Sequence, residues 1–391
     1  MVGLREEERR VRRLKIAVIG TGFMGRVHLE ALRRVENVDV IAVVGRQLEP
    51  AKKLAEAYGV PSVFDDYREL LKSQELDAVH ICTPNASHYP IAKAAMQAGK
   101  NVLCEKPVAV SVEEAEELTA LAAETGVRNC VCHNLRSYPM VQQMRSMREA
   151  GELGEILVTQ GTYSQDWMLY DTDWNWRVDD KTSGPSRVMA DIGSHWFDMI
   201  EYITGLRVAS LCADLQTFHP TRKRPNHSVE SFTGKLPSAE DVEEVKVTTE
   251  DFGAVVFRLG ESARGAMTAS QVSAGRKNGL CVEIYGTKAS VIWNQERPDE
   301  LWIGNRNTPN QIIIKDPSLL LPAAAKYADL PGGHSEGYDD TFKQVFRRFY
   351  ASIGDPSASI EYPQMADGLR QMRILDAELA SAKKRAWIDL D

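Results

Sequence analysis

The sequence predicts an α/β domain built on a doubly wound parallel sheet, followed by an α+β domain whose larger sheet is mostly antiparallel. Three observations predict it. Between residues 15 and 133 short apolar runs alternate with helix-like stretches, the first of these runs ends in the glycine pattern "GTGFMG", and after about residue 134 the runs lengthen and alternate apolar with polar. Uninterrupted apolar runs suit parallel strands buried on both faces, whereas period-two alternation suits strands with one covered face. A chain of 391 residues is too long for one ordinary core and suits two, so the division falls at residues 1–134 and 135–391.

Taken in order, "LREEERRVRRLK" mixes both charge signs without an apolar centre, so it is neither a secretory signal nor a membrane span. Residues 1–13 read as a frayed helical extension. "KIAVIG", "VDVIAVVG", "DAVHICTP", "KNVLCEKP" and "RNCVCH" are the expected parallel strands. Between them "FMGRVHLEALRRV", "PAKKLAEAYG", "YRELLKS", "SHYPIAKAAMQAG" and "SVEEAEELTALAAETG" read as helices; the last carries a capping box, Ser111 with Glu114, and Gly126 just past its end. In the second part the helix "MVQQMRSMREAG" precedes the strand runs "EILVTQGTYSQ", "RVASLCADLQTF", "EVKVTTEDFGAVVFRL", "RGAMTASQV", "LCVEIYGT" and "SVIWNQ". Helices at 193–204 and 364–384 would cover one face of that sheet. Residues 219–241 and about 305–334 read as long loops, a length that is uncommon and often functional.

A formal net charge of −8 excludes the broad electropositive surface that sequence-independent nucleic-acid binding needs, which favours a small-molecule partner, with neither nucleic acid nor membrane. Cys82, Cys104, Cys130, Cys132, Cys212 and Cys281 lie mostly inside apolar runs, so reduced, buried thiols and a cytoplasmic location are expected. "CVCH" at 130–133 alternates faces on a strand and has no second ligand pair, so no metal is expected there.

In "GTGFMG", Gly20, Gly22 and Gly25 fall in G-x-G-x-x-G order directly after a strand and at the opening of a helix. Glycines there close the turn, admit a pyrophosphate to the backbone and let helix pack on strand, so Gly20, Thr21, Gly22, Phe23, Met24 and Gly25 are assigned to a dinucleotide. The first domain is therefore expected to be a Rossmann domain. An NAD site usually has an acid at the end of the second strand, and this chain has Gly45 and Arg46 instead. A guanidinium pairs well with a 2′-phosphate, which favours NADP while leaving NAD open. "ICTPNASH" and "LCEKP" end strands on the edge where ligands bind in open parallel sheets, which adds Thr83, Pro84, Asn85, His88, Glu105 and Lys106.

"GTGFMG", "TPNASH", "AGKNVLCEKP", "WNWR" and "DIGSH", in this order and spacing, resemble the Gfo/Idh/MocA family, named for glucose-fructose oxidoreductase, inositol dehydrogenase and a rhizopine-catabolism protein. The resemblance runs from about residue 14 to the C-terminus. It implies a Rossmann domain joined to an α+β domain, and oxidation of a hydroxyl of a sugar, glycoside or cyclic polyol, or reduction of the matching ketone, with NAD(P). It further implies that Asp191 and His195 face the nicotinamide from the second domain while Lys106 reaches the same spot from the first.

That trio suits the reaction: a base takes the hydroxyl proton, an ammonium stabilises the oxygen, and a carboxylate orients substrate or imidazole. By resemblance Asn134 belongs to the cofactor or substrate pocket, and Trp176–Arg177 match a pair near the cofactor. Trp167 offers a flat face for a pyranose, and His334 and Tyr338, after the Gly332–Gly333 pair, sit on a loop expected to close over the substrate. His28, His80, His133, His219 and His227 are read as structural. Two other readings stay open, a glycosidase acting by transient oxidation with NAD and a non-catalytic sugar or cofactor sensor. Family members commonly pair through the open face of the second sheet, so a homodimer or homotetramer is expected.

Overall fold

The computed structural model describes residues 12–73, 75–226, 242–355 and 357–390. Most of the N-terminal extension and His227 therefore lie outside the described residues. The chain opens with β1 (Leu14–Ile19), α1 (Phe23–Leu32), β2 (Val38–Val44), α2 (Leu48–Tyr58), β3 (Ser62–Phe64), α3 (Tyr67–Ser73), β4 (Ala78–Ile81), α4 (His88–Gln97), β5 (Asn101–Cys104), α5 (Val112–Thr125) and β6 (Asn129–Val131). These strands form a parallel sheet in the order β3-β2-β1-β4-β5-β6. The order reverses between β1 and β4, so the carboxyl ends of those strands open a crevice. β3 was missed in the sequence because "SVF" is too short to show a period. At the start of α5, Ser111 accepts from the Glu114 amide, but the Glu114 carboxylate reaches back to the Val110 amide.

The second part continues with α6 (Pro139–Glu149), β7 (Ile156–Ser164), α7 (Asp180–Ser183), α8 (Ser194–Thr204), β8 (Val208–Gln216), β9 (Thr221–Pro225), β10 (Val242–Lys246), β11 (Phe252–Leu259), β12 (Ala263–Ser270), β13 (Gly279–Gly286), β14 (Ser290–Asn294), β15 (Glu300–Gly304) and β16 (Gln311–Ile314). It ends with α9 (Pro322–Ala325), α10 (Tyr338–Gly354), α11 (Met365–Lys384) and β17 (Ile388–Asp389). Nine strands form one sheet, β16-β15-β14-β13-β7-β12-β11-β8-β17, in which only the β7–β12 pair is parallel. α8 and α11 cover its inner face, where the Trp196 indole donates to Cys281 O at 2.9 Å. Gly161 lies beneath that ring because a Cβ would stand 2.1 Å from Cys281 O. α10, late in the chain, packs Phe342, Phe346 and Phe349 on the first sheet beside α1.

Three expectations for this part are corrected. Residues 244–259 are not one strand: the chain breaks between β10 and β11 because Glu250 and Asp251 turn inward to accept buried hydrogen bonds. The stretch 219–241 is not all loop, since β9 pairs with β10. Nor is 305–334: it holds β16, whose "QIII" extends the sheet edge beside β15, and α9, with Pro322 at its first turn. Among the described residues no helix is long and apolar enough to cross a membrane.

Candidate active site

β1 delivers the chain into Gly20 at φ +120°, where a Cβ would stand 2.4 Å from Cys82 O at the end of β4; conformation and space both demand glycine. A Cβ on Gly25 would stand 2.2 Å from Gly20 O, so its absence lets α1 press on the turn. Gly22 differs, because nothing lies within 4 Å of where its Cβ would project. That space faces the opening of α1, whose first turn carries no acidic residue and whose cap residue offers no side-chain bond to the helix amides. An anion fits there. Thr83 Oγ1, at the next strand end, is buried without a partner among the described residues. These residues fit a dinucleotide, with Gly20 to Gly25 for the pyrophosphate and Thr83 and Pro84 alongside.

Gly45 follows β2 and abuts the Thr21 side chain, and Arg46 stands exposed two residues beyond the strand. Asn85 and His88 are committed to protein contacts. The Asn85 amide donates to Ser183 O at 2.9 Å, and the His88 nitrogens lie 2.7 Å from Pro107 O and 2.7 Å from Thr83 O. His88 thereby braces the loops after β4 and β5, and any effect it has on a cofactor passes through those loops.

The loop after β5 presents Lys106, whose Nζ donates to Asp191 O at 2.5 Å and to Asp191 Oδ1 at 3.0 Å. Asp191 lies in a single π-helical turn, Met189–Gly193, that opens into α8, and such wide turns are frequent at functional sites. Glu250 fixes the turn: its Oε1 accepts from Ser186 Oγ at 2.6 Å, Arg187 N at 3.0 Å and Met189 N at 2.9 Å. Asp191 also accepts from Arg177 Nε at 3.2 Å and from Gln271 Nε2 at 2.8 Å. Burial alone would raise its pKa, but the Lys106 and Arg177 charges outweigh burial and hold the carboxyl well below its usual range.

His195, one turn on, is buried beside His133, ring centroids 5.5 Å apart, and its Nδ1 has no protein partner among the described residues. Burial, then the Lys106 charge and His133, push its pKa well below the usual histidine value, against a smaller opposing pull from Asp191. It is a neutral imidazole at neutral pH, able to accept a proton.

The sequence missed the support behind Asp191. Gln271 is fully buried, and its Oε1 accepts from Arg187 Nη1 at 3.2 Å, which leaves its amide N–H for the carboxylate. Arg187 pairs with Asp251, and Asp251 also takes Arg222 Nη2 at 2.7 Å. Arg222 in turn donates to the carbonyls of Met168, Tyr170 and Asp173. The same buried network therefore reaches the loop that carries Trp167. Glutamines and acids in a strand-end sequence look solvent-facing, and the only available signal was their place in otherwise apolar runs.

Trp167 is half-buried against Met168, Val178 and Val247, its indole donating to Gln165 Oε1 at 2.7 Å. Arg177 stacks over the Trp176 ring at 4.5 Å, so that pair meets the Asp191 carboxylate. The Asn134 amide donates to Thr341 Oγ1 at 2.7 Å and joins the end of β6 to α10. Tyr338, at the start of α10, rests on Phe342, and burial raises its phenol pKa well above normal, with Glu105 adding to the effect. His334 is not brought into this cluster: it stands exposed on a loop anchored by the buried Lys315–Glu336 pair at 2.7 Å. His219 Nε2 lies 2.8 Å from Leu169 O and steadies the Trp167 loop.

A glycine turn after β1, together with a lysine–aspartate–histidine cluster that joins the loop after β5 to the opening of α8, agrees with two family models. Residues 14–133 match the oxidoreductase family NAD-binding Rossmann fold, and residues 141–292 match the GFO/IDH/MocA C-terminal domain. The chain belongs to the GFO/IDH/MocA oxidoreductase family. Within this family it is 29% identical to levoglucosan dehydrogenase of Pseudarthrobacter phenanthrenivorans, over 96% of this chain and 98% of that one. A levoglucosan dehydrogenase solved with NADH and levoglucosan superposes with a TM-score of 0.87 at 27% identity, covering 97% of this chain and 99% of the other. An oxidoreductase domain protein from Kribbella flavida does so with a TM-score of 0.87 at 30% identity, covering 97% and 100%.

Proposed function

We propose that this protein oxidises a secondary hydroxyl of a cyclic polyol, a pyranose sugar or its glycoside above all, or reduces the matching ketone, with a nicotinamide dinucleotide. The observation that carries the reading is the contact of Lys106 with Asp191 across the two domains, with neutral His195 one turn away. The bound cofactor supplies the hydride acceptor. His195 accepts the hydroxyl proton, and the Lys106 ammonium hydrogen-bonds the reacting oxygen and stabilises the charge that develops there. Asp191 holds Lys106 in place, and the imidazolium formed as the proton moves gains from its negative charge.

Trp167 supplies an apolar ring for the C–H face of the sugar, with Asn134 and Tyr338 at the wall of the pocket. Levoglucosan dehydrogenase, a relative over nearly its whole length, supports an anhydrosugar or pyranoside as substrate. Arg46 supports NADP, because the residue after the second strand lies where the adenosine ribose is recognised. The relative solved with NADH makes NAD the necessary comparison.

The exposed Val158 and Val256, with half-buried Tyr285 beside them, on the face of the second sheet away from α8 and α11 support a homodimer or homotetramer, and six unpaired cysteines suit a reducing cytoplasm. The test is absorbance at the reduced-nicotinamide band across free sugars, inositols, anhydrosugars and glycosides with each cofactor. Net cofactor reduction on a cyclic polyol is expected. Glycoside cleavage without net cofactor change would make the protein a redox-assisted glycosidase, and binding without turnover would make it a sensor; either outcome ends this reading.

A further inference from the structure

Behind Glu105 runs a line of buried hydrogen bonds that the proposed reaction does not use. Glu105 Oε1 lies 2.9 Å from His28 Nε2, His28 Nδ1 lies 2.8 Å from His80 Nδ1, and His80 Nε2 lies 2.5 Å from the Tyr350 hydroxyl. The four side chains come from the end of β5, from α1, β4 and α10, and all are buried. Phe346 packs edge-on against both imidazoles and closes that side of the line.

The pattern assigns the protons, because each ring nitrogen has one neighbour and must either give or receive. An ionised Glu105 can only accept, so His28 carries hydrogen on Nε2 and offers a lone pair at Nδ1. His80 then donates from Nδ1, and its Nε2 accepts from Tyr350. Every bond is made once with neutral rings. Running the line the other way needs a proton on Glu105 and leaves the Tyr350 hydroxyl hydrogen without an acceptor among the described residues. An imidazolium at His28 would reverse the line at His80 and leave the Tyr350 proton without an acceptor among the described residues. Such an orphan is costly in a buried site.

We propose that His28, His80 and Tyr350 are positioning residues that keep Glu105 ionised beside Lys106, so that a fixed negative charge faces the nicotinamide crevice. The inference rests on the proposed function, which places the nicotinamide at Lys106. A negative charge there favours the oxidised, positively charged ring over the reduced, neutral one. The other groups facing Glu105 are Lys106 on its own loop, His88 on α4, Tyr338 on α10 and the thiols of Cys82, Cys104 and Cys132. Burial, the largest influence on Glu105, opposes its charge; His28 and then Lys106 outweigh it and leave the pKa below the usual value. The thiols, His88 and Tyr338 carry no charge at neutral pH that could replace Glu105.

Tyr350→Phe removes the only donor at the far end among the described residues. His80 Nε2 is then orphaned in either tautomer, so the line loses its preferred direction and Glu105 can take a proton as pH falls. The experiment is the ratio of affinities for oxidised and reduced cofactor, by fluorescence titration between about pH 5 and pH 8. The parent should hold its ratio across the window. Glu105→Gln should lower it at every pH by on the order of 10-fold, the scale of one nearby charge. Tyr350→Phe should match the parent at the alkaline end and approach Glu105→Gln at the acid end, and His80→Leu, a second route to the same change, should behave likewise.

A merely structural line would lower thermal stability and leave the ratio unmoved at all pH values, which would overturn the proposal. So would a stoichiometric metal ion in the purified protein held by His28, Glu105 and Cys132, whose ligand atoms lie within 4.8 Å of one another. A parent that binds neither cofactor form would instead refute the dehydrogenase reading itself.

Discussion

His195 carries a histidine's chemistry in a setting that works against its charge. Burial and the Lys106 ammonium favour the neutral ring, so the proton-accepting form is in place well below the pH at which a free histidine would supply it. The sign is definite: lowering the pKa of a base moves the acid limb of kcat/KM to lower pH. The profile for the free enzyme should therefore show no histidine break between about pH 6 and pH 7, and a clear break there would remove His195 as the base. His195→Ala should cost on the order of 100-fold in turnover, and Lys106→Ala should abolish turnover while cofactor titrations stay close to the parent. At the other end of the cofactor, Arg46 is exposed and separate from this cluster. Arg46→Asp should shift preference from NADP toward NAD, since it removes the partner of a 2′-phosphate and supplies an acceptor for a 2′-hydroxyl. A parent that already favours NAD in kcat/KM would refute that role.

Among the elements, the π-helical turn before α8 concentrates the support of the site. One oxygen of Glu250 takes two backbone amides and a hydroxyl from residues 186–189, so Glu250→Ala strands three buried donors at once. Thermal and denaturant unfolding should show a loss of about 3 kcal/mol, with turnover reduced more than cofactor affinity because Asp191 sits in that turn. Unchanged kcat in a destabilised variant would separate the turn from the chemistry.

The same elements mark how far the sequence could be read. The glycine loop, the strand-end motifs and the Asp191–His195 spacing are local, and each was legible because its chemistry needs fixed residue types at fixed offsets. Gln271, Asp251 and Arg222 act across 29 to 80 residues of chain, and no local pattern marks a buried amide that meets an aspartate on another element. His28 and His80 were read as structural because nothing in either neighbourhood shows that two rings, a carboxylate and a phenol from four elements join end to end.

At the scale of the whole molecule, the second sheet is asymmetric. Its inner face is sealed by α8 and α11, while along β7, β11, β12 and β13 the outward positions stay open to solvent. Val158 is 41% exposed and Val256 is 47% exposed on neighbouring parts of that face, with Ala266 between them on β12 and Tyr285 beyond on β13. Arg258, Arg264 and Glu283 interrupt the apolar positions with charge, so the surface is mixed, as broad protein interfaces are. The proposed second copy would meet this face about a two-fold axis, with the same patch on both sides. If copies pair there, Val158→Lys with Val256→Lys places like charges across the axis and breaks the assembly without touching the crevice. Sedimentation equilibrium should then give the monomer mass for the double variant and a multiple of it for the parent, while cofactor affinity stays within about 2-fold. A double variant that keeps the parent's mass would move the interface elsewhere on the molecule.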